Sequence, residues 1–154
     1  MAMSSDEGDT TAANHLHDTY VAALQHGLAE LPEGTRLVGV VRRPTRWFHA
    51  AVDENRPTLG PPAALLDEFA RERDDLKMAG LCEEGAHNAV WENVEFEARY
   101  REYLGTEEPK SALETLTEEL RAGDEIALVC FENTAKKRCH RTVLRDVLGE
   151  RLRD

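Results

Sequence analysis

One short stretch concentrates the residues that could do chemistry. Residues 127–144 read ALVCFENTAKKRCHRTVL. Cys130 and Glu132 end an apolar run, and Cys139, His140 and Arg141 follow a basic loop. A thiol beside an imidazole and a guanidinium has the makings of an activated cysteine, because a nearby cation or a helix N-terminus favours the thiolate. Lys136, Lys137, Arg138 and Arg141 fall within six positions of an otherwise acidic chain. That local reversal of sign points to an anionic ligand, since guanidinium forks match carboxylates and phosphates.

Three readings of this stretch compete. In the first, Cys139 is a nucleophile or redox thiol, His140 carries protons, and Glu132 orients His140 or an arginine. In the second, Cys130, Cys139 and His140 bind a metal, with Cys82 or His87 as further ligands; zinc takes such groups. The eight residues between the two cysteines are not finger spacing. In the third, Cys130 is a buried small hydrophobe, Cys139 packs at a helix start, and the basic side chains are solvated. The loop has no glycines, so it is not a P-loop.

A second constellation is Arg42-Arg43-Pro44, at the end of another apolar run. If the two runs are parallel neighbouring strands, both end on one edge, where ligands of open α/β sheets bind. Arg42 and Arg43 then face Glu132, His140 and Arg141. The alternative is a surface pair balancing nearby acids. Trp47 and Phe48 follow and could floor a pocket for a ring, although such pairs are commonly core. Cys82 and His87, five apart with Glu83 and Glu84 between them, could add metal ligands, but packing is the commoner role.

The elements that must position these residues are legible in outline. Residues 36–41 (RLVGVV) and 126–131 (IALVCF) read as buried strands. Residues 16–31 fit a strand or a helix. Pro61-Pro62 opens a helix with Leu65, Leu66 and Phe69 on one face. Residues 45–62 form a long connection, residues 91–104 read as one helix, and Ser111 with Glu114 fits a capping box. A last amphipathic helix starts at Cys139. Strands separated by helices imply right-handed crossovers. Residues 1–14 read as a disordered acidic tail, and residues 15–154 as a single α/β domain.

Composition sets the frame. The 154 residues are 41% hydrophobic and 32% charged, and 19 basic against 30 acidic residues leave a net charge of −11. This argues against general nucleic-acid or anionic-membrane binding, because phosphates would be repelled. No apolar run approaches the roughly 20 residues that cross a bilayer, and the start lacks signal-peptide character, so a cytoplasmic location is expected. Only four of the basic residues are lysine. A dispersed acidic surface poor in lysine suits a salty cytoplasm and reads as halophilic. Three cysteines, an odd number, argue against a disulfide framework.

At Cys130-Phe131-Glu132 followed by Cys139-His140-Arg141, the sequence resembles the domain-of-unknown-function family 488, as a haloarchaeal-like member. Members end with an apolar strand, C-x-E, a short loop, C-H-R and a helix. Asp18-Thr19-Tyr20, Val41-Arg42-Arg43-Pro44 with Trp47-Phe48, Leu59-Gly60-Pro61-Pro62 and Phe96-Glu97-Ala98-Arg99-Tyr100 are similar to further family segments. Here Gly60-Pro61-Pro62 replaces the usual small residue, Pro and Ser, and the loop from Glu132 to Cys139 is slightly long. The resemblance implies a mixed or parallel sheet, favours strand for residues 18–24, and makes the Cys-His-Arg cluster the site. It implies no reaction, and no cofactor is identified.

The expected protein is therefore α/β, with a small, mostly parallel or mixed sheet covered by helices on both faces in a three-layer, Rossmann-like arrangement. Its site would use Cys139, His140 and Glu132 for catalysis. Arg42, Arg43, Trp47, Cys130 and Arg141 would bind a small anionic ligand, such as a nucleotide's phosphate. A non-catalytic anion- or partner-binding module and a Cys/His metal site are the alternatives.

Overall fold

The computed structural model describes residues 12–132 and 136–153. In chain order its elements are β1 (Leu16–Tyr20), α1 (Val21–Gln25), β2 (Arg36–Gly39), α2 (Arg46–Ala51), β3 (Glu54–Asn55), a 3-10 turn (Pro57–Leu59), α3 (Ala63–Met78), α4 (Glu83–Asn93), α5 (Phe96–Leu104), α6 (Glu107–Arg121), β4 (Ile126–Cys130) and α7 (His140–Arg153). The four strands form one parallel sheet in the order β1-β4-β2-β3. The fold is thus α/β with a parallel sheet, as the unbroken apolar runs required.

The last strand is inserted between the first two. β4 runs alongside β1 from Leu16↔Ile126 to Tyr20↔Cys130, and alongside β2 from Arg36↔Ile126 to Gly39↔Val129. All five of its residues are buried, which explains why none is polar. Because β2 and β4 are parallel neighbours, Arg42 and Arg43 leave the sheet at the same edge as Cys130. On one face Leu16, Val38 and Leu128 pack against Phe69, Tyr100, Leu116 and Leu144 from the longer helices. A second cluster gathers Val21, Val41, Phe48, Val129, Cys130 and Cys139. Gly39 is required here, since a Cβ would collide with the Phe48 ring and with Asn55.

Several boundaries differ from the expectations. Residues 18–24 divide: strand up to Tyr20, helix from Val21, so each reading of that segment holds for one half. Residues 91–104 are two helices, because Glu95 adopts a left-handed conformation (φ 54°) between α4 and α5. Ser111 is not an N-cap. α6 starts at Glu107, and Pro109 sits in its first turn, where a missing N–H costs no helical bond. The connection over residues 45–62 holds α2, with Thr45 Oγ accepting from Phe48 N–H, then β3 and the 3-10 turn. Of the expected tail, residues 1–11 lie outside the described part, whereas residues 12–14 are helical and Ala12 is buried. Among the described residues no helix is long and apolar enough to cross a membrane.

Candidate functional site

The C-terminal edge of the sheet is assembled from three segments: the exit of β2, the end of β4, and the approach to α7. Gly60 brings the 3-10 turn against the β2 exit, where a Cβ would collide with the backbone of Val41 and Arg42. The chain returning to α7 is tied down by α4. Asn88 Nδ2 donates to Lys136 O (3.1 Å), Arg138 N donates to Asn88 Oδ1 (3.0 Å), and His87 Nε2 donates to Arg138 O (2.7 Å). These bonds deliver Cys139 to the end of β4.

There Cys139 meets Cys130. Their sulfurs lie 2.9 Å apart, and both are buried free thiols. Arg141 Nη1 lies 3.2 Å from Cys130 Sγ and also donates to Thr19 O and Glu132 O (3.2 Å), while Nε donates to Asp18 Oδ2 (2.8 Å). Burial pushes the Cys139 thiol up. The hydrogen bond from Cys130, the Arg141 backbone N–H and the Arg141 charge outweigh it, so Cys139 ionises more readily than an ordinary thiol. Cys130 moves the other way: burial, then the proton it holds toward Cys139 and that neighbour's charge, push it well up. The two thiols are therefore displaced in opposite directions.

His140 completes the arrangement. Its Nε2 lies 2.6 Å from Val40 O. A carbonyl only accepts, so Nε2 carries the proton and Nδ1 is the bare nitrogen. That Nδ1 lies 3.6 Å from Cys139 Sγ. Burial holds the imidazole below its usual range, which keeps it neutral near pH 7. Tyr100 stands edge-on to the ring at 5.6 Å, its own hydroxyl donating to Leu59 O. A neutral imidazole with its lone pair toward a buried thiol can take that thiol's proton.

Both thiols and His140 line a cavity of about 260 Å³. Its apolar wall includes Leu66, Phe69, Trp91 and Phe96, with the Trp91 and Phe96 rings stacked at 4.2 Å. Arg42, Arg43, Arg73 and Arg138 also line it, against one carboxylate, Glu132, among the described residues. Arg42 is fixed by Pro61 O (3.1 Å) and the Tyr103 hydroxyl. Arg43 pairs with Asp67 at 2.9 Å and Arg138 with Glu92, all four side chains more than half exposed.

The structure brings Arg42, Arg43, Cys130, Glu132, Cys139 and His140 to one cavity, and separates two other candidates from it. Arg141 is 2% exposed, is turned toward Asp18 and Cys130 Sγ, and does not line the cavity. Trp47 is 54% exposed and does not line the cavity, while Phe48 is core. The Glu132 carboxylate lies 3.7 Å from Lys137 Nζ, and its backbone oxygen accepts from Arg141 Nη1 at 3.2 Å. The metal alternative finds no ligand set. Cys82 is exposed and caps α4, accepting from Gly85 N–H, and His87 anchors Arg138. Among the described residues no group of three or more His, Cys, Asp or Glu could hold a metal ion.

Sequence reasoning missed Arg73, Trp91 and Phe96 as cavity residues, and had Arg138 only as part of the basic loop. Helical spacing over residues 91–104 marks Trp91 only as inward. The sequence reading rejects the C-x5-R pattern of thiol-phosphatase loops for want of an arginine six residues after Cys139, but Arg145 stands at that position. Here the spacing lies along α7, and Arg145 pairs with Asp18 instead of cradling an anion.

A family model, DUF488-N3a, described as the active DUF488-N3 subclade, matches residues 19–152. No curated protein and no solved structure matches the chain. From β1 to the last turn of α7, and across the whole Cys-His-Arg edge, the chain belongs to the DUF488 family in its DUF488-N3a subclade.

Proposed function

We propose that the cavity takes a small anionic ligand with a flat or apolar body, and that Cys139 acts on it as a thiolate nucleophile. His140 Nδ1 takes the thiol proton and returns it to the leaving group. Arg42 and Arg43 pair with the anionic group, and Trp91 and Phe96 pack against the body of the ligand, as a nucleobase or aryl ring would allow. Arg141 is a positioning residue that holds the two sulfurs and favours negative charge there. Glu132 pairs with Lys137 at 3.7 Å.

The observation that carries this reading is the environment of Cys139. It combines a cavity-lining thiol, a neutral imidazole facing it, and opposite displacement of the two thiols. Titratable groups shifted in opposite directions inside a cavity are the usual mark of a working site. The acidic, lysine-poor composition favours working at high salt in the cytoplasm of a halophile.

The test is the pH profile of iodoacetamide alkylation at Cys139, in a Cys82→Ser chain at high salt. Serine keeps the α4 cap, so this change confines the chemistry to the site. The expected midpoint lies below the ordinary thiol range, and inorganic phosphate or a nucleoside monophosphate protects Cys139. An ordinary midpoint removes the nucleophile. Protection without enhanced reactivity would make the cavity a non-catalytic anion-binding module.

A further inference from the structure

The proposed nucleophile needs one reactive thiol, yet the site holds two in contact. Cys130 Sγ lies 2.9 Å from Cys139 Sγ. A disulfide spans about 2.05 Å, so the bond requires an approach of about 0.9 Å. Both sulfurs line the cavity, whereas Cys82, the third cysteine, stands exposed at the start of α4. Packing alone does not call for a guanidinium at 3.2 Å from a buried thiol. A charge there favours the thiolate that must attack in a thiol–disulfide step.

We propose that Cys130 and Cys139 are a two-electron dithiol couple that reduces a hydroperoxide entering the cavity, with Cys139 attacking and Cys130 resolving. The proposal rests on the reading of Cys139 as the reactive thiol.

The Cys139 thiolate attacks the terminal oxygen of ROOH. The O–O bond breaks, and RO⁻ leaves as ROH with the proton that Cys139 gave to His140. Cys139 is now a sulfenic acid. Cys130 then attacks Cys139 Sγ, the S–OH bond breaks, and hydroxide leaves as water with the Cys130 proton. In sum, two thiols are oxidised to one disulfide, and the hydroperoxide is reduced to an alcohol and water. An external dithiol restores the pair, becoming a disulfide itself. Leu66, Phe69, Trp91 and Phe96 suit an R group that is organic, and His140 Nδ1, 3.6 Å from the attacking sulfur, suits the proton transfer.

The experiment uses the full chain with Cys82→Ser, reduced and freed of reductant at high salt. One equivalent of hydrogen peroxide is added in one arm and of cumene hydroperoxide in the other. Intact mass and non-reducing peptide mapping follow. The expected product has lost two hydrogens, links the peptides carrying Cys130 and Cys139, and is restored by dithiothreitol. Faster reaction with cumene hydroperoxide, by an order of magnitude, assigns an organic substrate; the reverse rank assigns hydrogen peroxide. In Cys130→Ser the product is a Cys139 sulfenic acid trapped by dimedone, and the wild-type linkage carries the test if that variant does not fold. Oxidation of Cys139 to sulfinic acid with Cys130 still reduced would overturn the couple. So would no oxidation of a Cys139 that iodoacetamide still alkylates, and the nucleophile reading would then survive. A Cys139 inert to both reagents would overturn both.

Discussion

At the N-terminal end of the sheet, Glu125 is bracketed by His15 and His17, and Glu119 by Arg36 and Arg56. At the C-terminal end, Cys130 and Cys139 meet beside Arg141 and His140. Both ends hold ionisable groups displaced from their ordinary values. The bonds from His17 and His15 hold the Glu125 carboxyl down. Burial pushes Glu119 up, but its bonds and charge contacts with Arg56 and Arg36 bring it below the usual range. There each carboxylate has hydrogen-bonding partners and solvent, and none of these groups lines the cavity. At the other end a readily ionised thiol and a bare imidazole nitrogen face a chamber. A displaced protonation equilibrium therefore marks a site only where a cavity gives the displaced group something to act on.

The comparison is broken most completely at Cys139. Cys139→Ala is expected to abolish both the fast alkylation and the hydroperoxide reaction, at a stability cost of about 1 kcal/mol. Mass spectrometry and urea unfolding read the two effects separately. Loss of the fold instead would make the thiol structural.

Arg141 separates positioning from packing. Arg141→Met leaves Asp18 with Arg145 but removes its buried partner, which is expected to cost about 3–5 kcal/mol in urea unfolding. In the fraction that stays folded, the alkylation profile of Cys139 moves to higher pH. An unmoved profile would deny the guanidinium any part in the chemistry.

Glu119 tests the opposite end through pH. Its folded value lies below the unfolded one, 4.5. Its contribution is therefore complete above that pH and lost as the pH falls through the folded value. Solvent screening limits it to about 1 kcal/mol. Urea unfolding of wild type and Glu119→Gln should differ at neutral pH and converge in acid, with Cys139 alkylation unchanged throughout.

The smallest effect is expected at Trp47. Trp47→Ala should change stability by about 0.5 kcal/mol or less and leave phosphate protection of Cys139 unaltered, because the ring is exposed and outside the cavity.

Much of the molecule could be read from residue order. Five consecutive apolar residues over 126–130 require a strand buried on both faces, and such a strand is central and parallel. The exits of β2 and β4 followed from that, and with them the shared edge that holds Arg42, Arg43, Cys130 and Cys139. What failed was local geometry under tertiary control. A left-handed Glu95 splits a helix whose apolar period runs on without a break. Trp47 and Phe48 are adjacent, yet one is solvent-exposed and the other core.

The sequence by itself determined the α/β class, the central buried strands, and the gathering of Cys, His and Arg at one end, because periodicity and composition act over neighbouring residues. Only the tertiary structure decided that Cys130 and Cys139 touch, that Arg141 turns inward to Asp18, and that Trp91 and Phe96 wall the cavity. Arg141 and Asp18 lie 123 positions apart, Cys130 and Cys139 are brought together across a loop, and the geometry follows from how α4, α5 and α7 pack on the sheet.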